Sequence, residues 1–270
     1  MIVSKTFAPG LFQDKVALVT GGGTGIGRVT AHMLVHLGAK VAICGRRPEK
    51  LDAAVAELAA IHGPEQVFAL PCDIREPEQV AALVGGTLDK LGRIDFLVNN
   101  AGGQFPSPAE QISSRGFEAV VRNNLLGTWN VTREVATRAM MKQKPKGGRI
   151  INIIAQIFRG FPGMVHTGAA RAGVENMSMT LSVEWAEHDI LVNALAPGVI
   201  KSSGTDRYPP ELLEMQRTKT PLKRLGTEEE VAENILFLLS PASSFTTGAT
   251  LYMDGGARLW GENWSIPERR

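Results

Sequence analysis

The chain has 270 residues, of which 44% are hydrophobic and only 6% aromatic, enough apolar material for one large α/β domain with a buried core. Its formal net charge of +2 gives no field strong enough to indicate a nucleic acid or an anionic membrane as partner. The first ten residues lack the apolar core of a secretion signal, and apolar runs such as Ile235–Leu239 are too short to cross a bilayer. We therefore expect one domain over residues 1–270, with short terminal extensions, in a soluble cytoplasmic protein.

The first elements in the chain predict a βαβ unit. Val16–Thr20 is a short β-rich run, Ile26–Leu37 carries apolar residues at helical spacing, and Lys40–Cys44 is again strand-like. Apolar residues at positions 51, 54, 55, 58 and 59 then follow the pattern of a helix with one buried face.

The same alternation continues to the end of the chain. Further strands are predicted at Gln66–Leu70, Asp95–Val98, Arg149–Ile154, Leu191–Ala194 and Thr250–Met253, with helical spans between them. This order predicts an α/β fold with about seven parallel strands in one doubly wound sheet, because each parallel crossover needs a helix that covers a face of the sheet.

Two features interrupt or qualify this pattern. The stretch Lys201–Pro221 is irregular and rich in Gly, Pro, Ser and Thr, so we expect a mobile lid over a site there. The two cysteines, Cys44 and Cys72, lie in apolar strand-like segments, which predicts buried thiols rather than a disulfide or a metal site.

The glycine-rich loop between the first strand and the first helix is the first motif with chemical meaning. In the segment TGGGTGIG, residues 20–27, backbone N–H groups and the positive helix end can face a pyrophosphate. Glycine allows that close approach, although a merely structural turn would have the same composition. The position directly after the first strand favours dinucleotide binding.

Arginine at the end of the second strand indicates which dinucleotide binds. A ribose with free hydroxyls usually meets an acid there, whereas Arg46 suits a 2′-phosphate. The sequence thus favours NADP(H), and the alternative is a solvated basic turn.

Taken together, these residues resemble the short-chain dehydrogenase/reductase family, with its Rossmann-type fold, over nearly the whole chain. The further matching motifs are Cys72-Asp73-Ile74, Asn99-Asn100-Ala101-Gly102, Asn124-Leu125-Leu126-Gly127, Pro197-Gly198 and Asp254-Gly255-Gly256. The resemblance implies that the cofactor is held by Gly21, Thr24, Gly25, Ile26, Gly27, Arg46, Asp73, Ile74, Asn100, Ala101, Gly102, Arg171, Pro197, Gly198 and Ile200. It also implies a homo-oligomer, most simply a tetramer.

The catalytic motif of that family is altered in this chain. Most members carry a tyrosine followed four residues later by a lysine, and an alignment on Arg171-Ala172-Gly173-Val174 puts Thr167 and Arg171 in those places. The family's serine position falls near Ile154 or Ala155. Of the usual catalytic tetrad only Asn124 remains.

Physical chemistry limits what the altered site can do. Reduction of a ketone produces an alkoxide that needs a positioned acid, which a phenol can supply and the Thr167 hydroxyl cannot. Arg171 stays charged and can hold ribose hydroxyls and stabilise negative charge, but it does not relay protons. Hydride addition to an enoyl thioester gives an enolate that needs mainly hydrogen-bond donors, and water can protonate its α-carbon. His166 is the titratable residue of this stretch, either as a proton donor or as a ring packed beneath the helix start.

The resemblance is greatest to peroxisomal trans-2-enoyl-CoA reductases, through segments 8–11, 103–110, 161–166 and 168–174, and extends to 2,4-dienoyl-CoA reductases. The tyrosines of those two groups would fall at Glu175 and Gln156, so neither is present here. The C-terminal residues 267–270 do not form a peroxisomal address, which favours the cytoplasmic setting.

Three functions therefore remain open. The favoured one is an NADP-dependent reductase of an enoyl-CoA or dienoyl-CoA thioester, with Asn124, His166, Thr167 and Arg171 as the candidate catalytic residues. The others are a carbonyl or hydroxyacyl oxidoreductase with an unusual proton donor, and a dinucleotide-binding protein with little or no turnover. Basic residues between Lys201 and Arg224 can meet the phosphates of coenzyme A or form a solvated helix face.

Overall fold

The computed structural model describes residues 2–202, 209–259 and 267. Its strands are β1 (Val16–Thr20), β2 (Lys40–Gly45), β3 (Val67–Pro71), β4 (Phe96–Asn99), β5 (Gly148–Ile153), β6 (Ile190–Pro197), β7 (Ile200–Lys201), β8 (Gly226–Thr227) and β9 (Thr250–Met253). Its α-helices are α1 (Gly25–His36), α2 (Pro48–His62), α3 (Pro77–Leu91), α4 (Ser114–Val121), α5 (Gly127–Val135), α6 (Val165–Glu184), α7 (Pro210–Lys219) and α8 (Glu228–Leu239).

Seven strands form one parallel sheet in the order β3-β2-β1-β4-β5-β6-β9, which confirms the predicted fold class. The strand order reverses between β1 and β4, and in sheets of this kind ligands bind in the crevice beyond the carboxyl ends of the strands at that point. The strands β7 and β8 pair separately as a small two-stranded sheet, which the sequence did not predict.

The core lies on both faces of the sheet, and this explains why β1 is buried along its whole length. One face packs against α1, α2 and α8, and the other against α3, α5 and part of α6. Cys44 and Cys72 are both free and buried, as predicted. Within the described part of the chain, no helix combines the length and the apolar character that a bilayer crossing requires.

The expectation of an irregular segment over Lys201–Pro221 is wrong for its second half, because α7 occupies Pro210–Lys219. Proline suits the first helical position, and Arg217 and Lys219 lie in the last turn, where the helix dipole favours cations. The sequence analysis gave more weight to the Gly, Pro, Ser and Thr content of this segment than to these helix signals. Residues 203–208, the other part of the predicted lid, lie outside the described residues.

Candidate active site

The glycine-rich loop connects β1 to α1 at the point where the strand order reverses. Gly21 and Gly25 have positive φ angles of 67° and 59°, which suit glycine. A Cβ atom at Gly27 would lie 2.4 Å from the Gly21 carbonyl oxygen, so only glycine fits there. Thr24 precedes α1 without capping it through its side chain, which leaves first-turn N–H groups, including that of Ile26, for an anion.

The end of β4 is tied to this loop by hydrogen bonds. The Thr20 hydroxyl accepts from the backbone N–H groups of Asn100 (3.0 Å) and Ala101 (2.9 Å). The Asn100 side-chain amide donates to the Thr20 carbonyl oxygen at 3.0 Å. These bonds hold the two segments that border the cofactor crevice in fixed register.

An exposed arginine and a paired aspartate lie beyond the ends of β2 and β3. Arg46 is exposed just beyond β2, and among the described residues it takes part in no hydrogen bond or ion pair. Asp73 accepts from the Arg75 side chain at 2.9 Å, and this bond is the main cause that lowers the pKa of Asp73. Ile74 is buried and leaves no room for a Cβ atom at Gly127, which would lie 2.7 Å away.

Pro197, Gly198 and Ile200, which the resemblance assigned to cofactor binding, lie where β6 ends and β7 begins. The Gly198 N–H donates to the Met253 carbonyl oxygen at 2.9 Å. A Cβ atom at Gly198 would lie 2.9 Å from the Asp254 Cα atom, so the chain after β6 touches the chain after β9.

Asn124 is placed by a π-helical turn, Arg122–Leu126, which joins α4 to α5. Such turns occur frequently at functional sites, and sequence patterns do not predict this one. The Asn124 side chain is fully buried, donates to the Gly103 carbonyl oxygen at 2.7 Å and accepts from the Gly103 N–H at 3.2 Å. It therefore fixes the backbone that follows β4.

The Arg171 side chain extends from α6 to the same backbone segment, at Gly102. It is buried, donates to the Ile153 carbonyl oxygen at 2.7 Å, and has no partner for its Nε atom among the described residues. Burial lowers the pKa of Arg171 to about 10, so the guanidinium remains charged at neutral pH. A Cβ atom at Gly102 would lie 2.3 Å from an Arg171 terminal nitrogen and 2.7 Å from the Asn124 side-chain oxygen. Asn124, Gly102 and Arg171 are thus in one cluster.

Thr167 and His166 are fully buried at the start of α6 and contact each other. The His166 ring lies edge-on to Phe105, with 4.5 Å between ring centroids, and its Nδ1 atom accepts from the Thr167 N–H at 2.8 Å. The Thr167 hydroxyl lies 3.3 Å from that Nδ1 atom. The His166 ring therefore packs beneath the helix start, although its Nε2 atom is buried without a hydrogen-bond partner in the described region.

Ile154 and Glu175 are two further positions that the family alignments singled out. Glu175 contacts a tyrosine that the sequence analysis did not mention. Ile154 has no hydroxyl to offer, and its N–H donates to the Leu195 carbonyl oxygen at 2.8 Å. Glu175 accepts a hydrogen bond of 3.1 Å from the hydroxyl of Tyr252, which lies on β9. Composition could have drawn attention to Tyr252, because the chain has only two tyrosines and this one directly precedes the Met253-Asp254-Gly255 segment.

Comparisons with known proteins agree with this geometry. A family model described as enoyl-(acyl carrier protein) reductase matches residues 21–258. A peroxisomal 2,4-dienoyl-CoA reductase of Danio rerio is 38% identical over 95% of this chain and 86% of its own length.

Solved structures are also similar. The citronellol catabolism dehydrogenase of Pseudomonas aeruginosa PAO1 has a TM-score of 0.84 and 47% identity, covering 94% of this chain and 98% of its own. A short-chain dehydrogenase of Bacillus anthracis str. 'Ames Ancestor' has a TM-score of 0.85 and 35% identity, with 93% and 99% covered.

Proposed function

The chain belongs to the short-chain dehydrogenase/reductase family of oxidoreductases, and from that premise we propose that it reduces a conjugated C=C bond of an enoyl-CoA or dienoyl-CoA thioester with NADPH. The observation that carries the proposal is the Thr167–Arg171 pair. A buried cation remains beside Asn124 and Gly102, while the position of the usual phenol holds a buried threonine hydroxyl.

This site suits an enolate better than an alkoxide. When bound, NADPH would supply a hydride to the conjugated carbon, and the negative charge would then develop on the thioester oxygen. The Arg171 guanidinium stabilises that charge as a hydrogen-bond donor in a site shielded from water. Asn124 fixes the Gly102-Gly103 backbone by its hydrogen bond to Gly103. The Arg171 guanidinium packs against that backbone at Gly102, so its position is fixed as well.

The choice of NADP(H) rests on Arg46. Its exposed guanidinium forms no hydrogen bond or ion pair with the described residues, and it follows β2, where the adenine ribose of a dinucleotide lies in sheets of this type. A 2′-phosphate would give it a charge-assisted partner.

The coenzyme A part of the proposal rests on the curated relatives rather than on a visible phosphate site. Arg217 pairs with Glu214 at 2.8 Å and Arg224 pairs with Glu230, so these basic residues are already engaged within the chain. An acyl-CoA substrate would have to compete with those ion pairs or bind through other groups.

A second candidate, oxidation of an apolar alcohol, is favoured by the name of the 47% identical structure, a citronellol catabolism dehydrogenase. Alcohol oxidation needs a base that removes the hydroxyl proton, and neither Thr167 nor Arg171 is suited to that step.

A substrate panel separates these functions. Purified protein is supplied with NADPH and enoyl-CoA, dienoyl-CoA or ketoacyl-CoA, and with NADP⁺ and an apolar primary alcohol, while absorbance of the reduced cofactor is followed. We expect NADPH consumption with the conjugated thioesters and much less with the ketoacyl thioester. Turnover of the alcohol alone would favour the second candidate. Cofactor binding without turnover of any substrate would leave a dinucleotide-binding protein.

A further inference from the structure

A second cavity lies at the amino ends of the central strands, the end of the sheet opposite to the candidate active site. Its volume is about 280 Å³, and residues that precede β1, β4 and β6 line it together with the first residues of β5. Phe12 and Phe96, with 5.1 Å between their ring centroids, belong to its apolar wall. The charged residues of the lining are Lys15, Arg93, Asp95, Lys146, Arg149 and Asp189.

The charges of this lining do not cancel. Four of these side chains are cations and two are carboxylates, which leaves an excess of two positive charges. Asp95 accepts two hydrogen bonds from Arg93, at 2.8 and 2.7 Å, and lies 3.7 Å from the Lys15 ammonium. One carboxylate therefore faces two cations. Arg149 and Lys146 have no ion-pair partner among the described residues.

Arg149 is the cation of this group that is partly buried without a carboxylate. Its Nη1 atom donates to the Ser243 hydroxyl at 3.0 Å and to the Leu238 carbonyl oxygen at 3.4 Å, in the last turn of α8. A helix C-terminus supplies only about half a negative charge, so this contact compensates the guanidinium in part. Burial lowers the pKa of Arg149, which shows that its charge has lost hydration. An anion in the cavity would offset that loss.

The rest of the Arg149 guanidinium is open to a ligand. The Nε and Nη2 atoms form no hydrogen bond with the described residues. They are also absent from the buried polar atoms that lack a partner in the described region, so they are not enclosed. In a planar guanidinium these two N–H groups point the same way and match two oxygens of a phosphate.

We propose that this cavity binds the phosphate group of a small anion, either inorganic phosphate or a phosphate monoester. Arg149 holds two phosphate oxygens and Lys146 adds a second positive charge, while the apolar wall strengthens both interactions. The excess of two positive charges matches a dianion. The volume suits a small molecule and not a dinucleotide, because pockets for drug-sized ligands begin at about 300 Å³.

Isothermal titration calorimetry at constant ionic strength tests the site, with inorganic phosphate and glycerol 3-phosphate as the two probes. We expect a Kd below about 1 mM for at least one of them. Tighter binding of glycerol 3-phosphate would assign the site to a phosphate monoester, and tighter binding of inorganic phosphate would assign it to the free ion. No heat of binding from either probe up to about 10 mM would overturn the proposal.

Substitutions with opposite signs locate the bound phosphate. Arg149→Met should raise the Kd by about tenfold or more and Lys146→Ala by about threefold or more, because each removes a cation from the lining. Asp189→Asn should lower the Kd by about two- to threefold, because it removes a negative charge, and asparagine tolerates the positive φ of 58° at this position. If Arg149→Met fails to fold by circular dichroism, the other two variants decide.

Two control variants separate this cavity from other basic surfaces. Lys142→Ala removes an exposed lysine of the same segment that does not line the cavity, and it should leave the Kd unchanged. Arg46→Ala should also leave it unchanged, because Arg46 lies at the other end of the sheet, beyond β2. Loss of phosphate binding in Arg46→Ala would place the anion in the cofactor crevice and overturn the proposal. A Kd that is the same in the parent, Lys146→Ala and Asp189→Asn would overturn it as well.

Discussion

Arg46 is exposed and forms no hydrogen bond or ion pair with the described residues, so its guanidinium is available to a ligand phosphate. We expect Arg46→Ala to weaken NADPH binding by about 1.5–3 kcal/mol, roughly 10- to 150-fold in Kd, because one charge-assisted hydrogen bond is lost. NADH binding should change little and serves as the internal control. Equal affinity of the native protein for NADH and NADPH in a fluorescence titration would contradict this reading.

Arg171 and Thr167 offer a matched pair of substitutions on one helix. Arg171→Met removes the buried cation and should raise the Kd for NADPH and lower kcat by about 100-fold or more. Thr167→Val should lower the rate by less than about tenfold, or under about 1.4 kcal/mol, because the Thr167 hydroxyl lies against the His166 Nδ1 atom at 3.3 Å and is too weak an acid to donate a proton. Abolished turnover in a folded, NADPH-binding Thr167→Val protein would mean that this hydroxyl is chemically essential.

Sequence reasoning located residues whose positions follow from local spacing, and it missed a contact between segments that are distant in the chain. Thr167 and Arg171 could be aligned because they lie four residues apart on one helix. Tyr252 and Glu175 are 77 positions apart, and nothing in either segment indicates that β9 would present a phenol to α6. His166 was singled out for its chemistry, yet only the Phe105 contact reveals how the ring packs.

The segment after β4 controls where the Arg171 guanidinium can lie. In Gly102→Ala the new methyl group would stand 2.3 Å from an Arg171 terminal nitrogen and 2.7 Å from the Asn124 side-chain oxygen, so the Arg171 guanidinium would have to shift from its place beside Asn124. We therefore expect a folded protein with weaker NADPH binding and at least about tenfold lower turnover, measured by titration and steady-state kinetics. Gly85→Ala is the control, because the added methyl on α3 meets only the Arg138 side chain at 3.4 Å and should be neutral or stabilising. Full activity in Gly102→Ala would show that the Arg171 position is not critical.

The interface between α1 and α2 should make stability depend on pH. Burial is the main cause that lowers the pKa values of His32 and His62. The unfolded chain takes up protons near pH 6.5 whereas these folded histidines do so only at lower pH, so stability is full above that value and falls as the pH decreases. The slope can reach about 1.4 kcal/mol per pH unit for each histidine.

Urea unfolding at pH 7.5 and 5.5 measures this effect. The difference between the two free energies of unfolding should shrink in His32→Gln. It should persist in His188→Gln, because His188 lies in the turn after α6 and not between these helices. An unchanged difference in His32→Gln would rule out His32 as a source of the pH dependence.

Element boundaries were predictable where an apolar run coincides with a strand, and not elsewhere. The bounds of β1 and β9 match the predicted runs, whereas β6 extends from Ile190 to Pro197 beyond the predicted Leu191–Ala194. The extra residues pair with β5 and β9, so neighbouring strands and not local composition set the end of β6. The π-helical turn around Asn124 likewise has no sequence signal of its own, because its geometry depends on how the helix packs and not on local composition.

At the scale of the whole molecule, exposed apolar side chains point to self-association. Leu126 and Trp129 are exposed along the helix that contains α5, and Val183 on α6 is 78% exposed. Phe245 is also exposed, and β9 is the last strand at one edge of the seven-stranded sheet, a place where sheets can pair with another chain. Trp260, which follows this edge in the chain, lies outside the described residues.

We expect a homo-oligomer, most simply a tetramer, when the native protein is measured by light scattering at micromolar concentration. Burying a large apolar side chain contributes about 1.5–3 kcal/mol, so a lysine at such a position should both remove that gain and leave a charge in the interface. Trp129→Lys and Val183→Lys should therefore each lower the molar mass, and together they should give the monomer. Ile61→Lys is the control, because Ile61 is 38% exposed on α2, away from α5, α6 and the β9 edge, and should leave the mass unchanged. A native protein that scatters as a monomer would overturn the prediction, as would an oligomer that survives the double substitution.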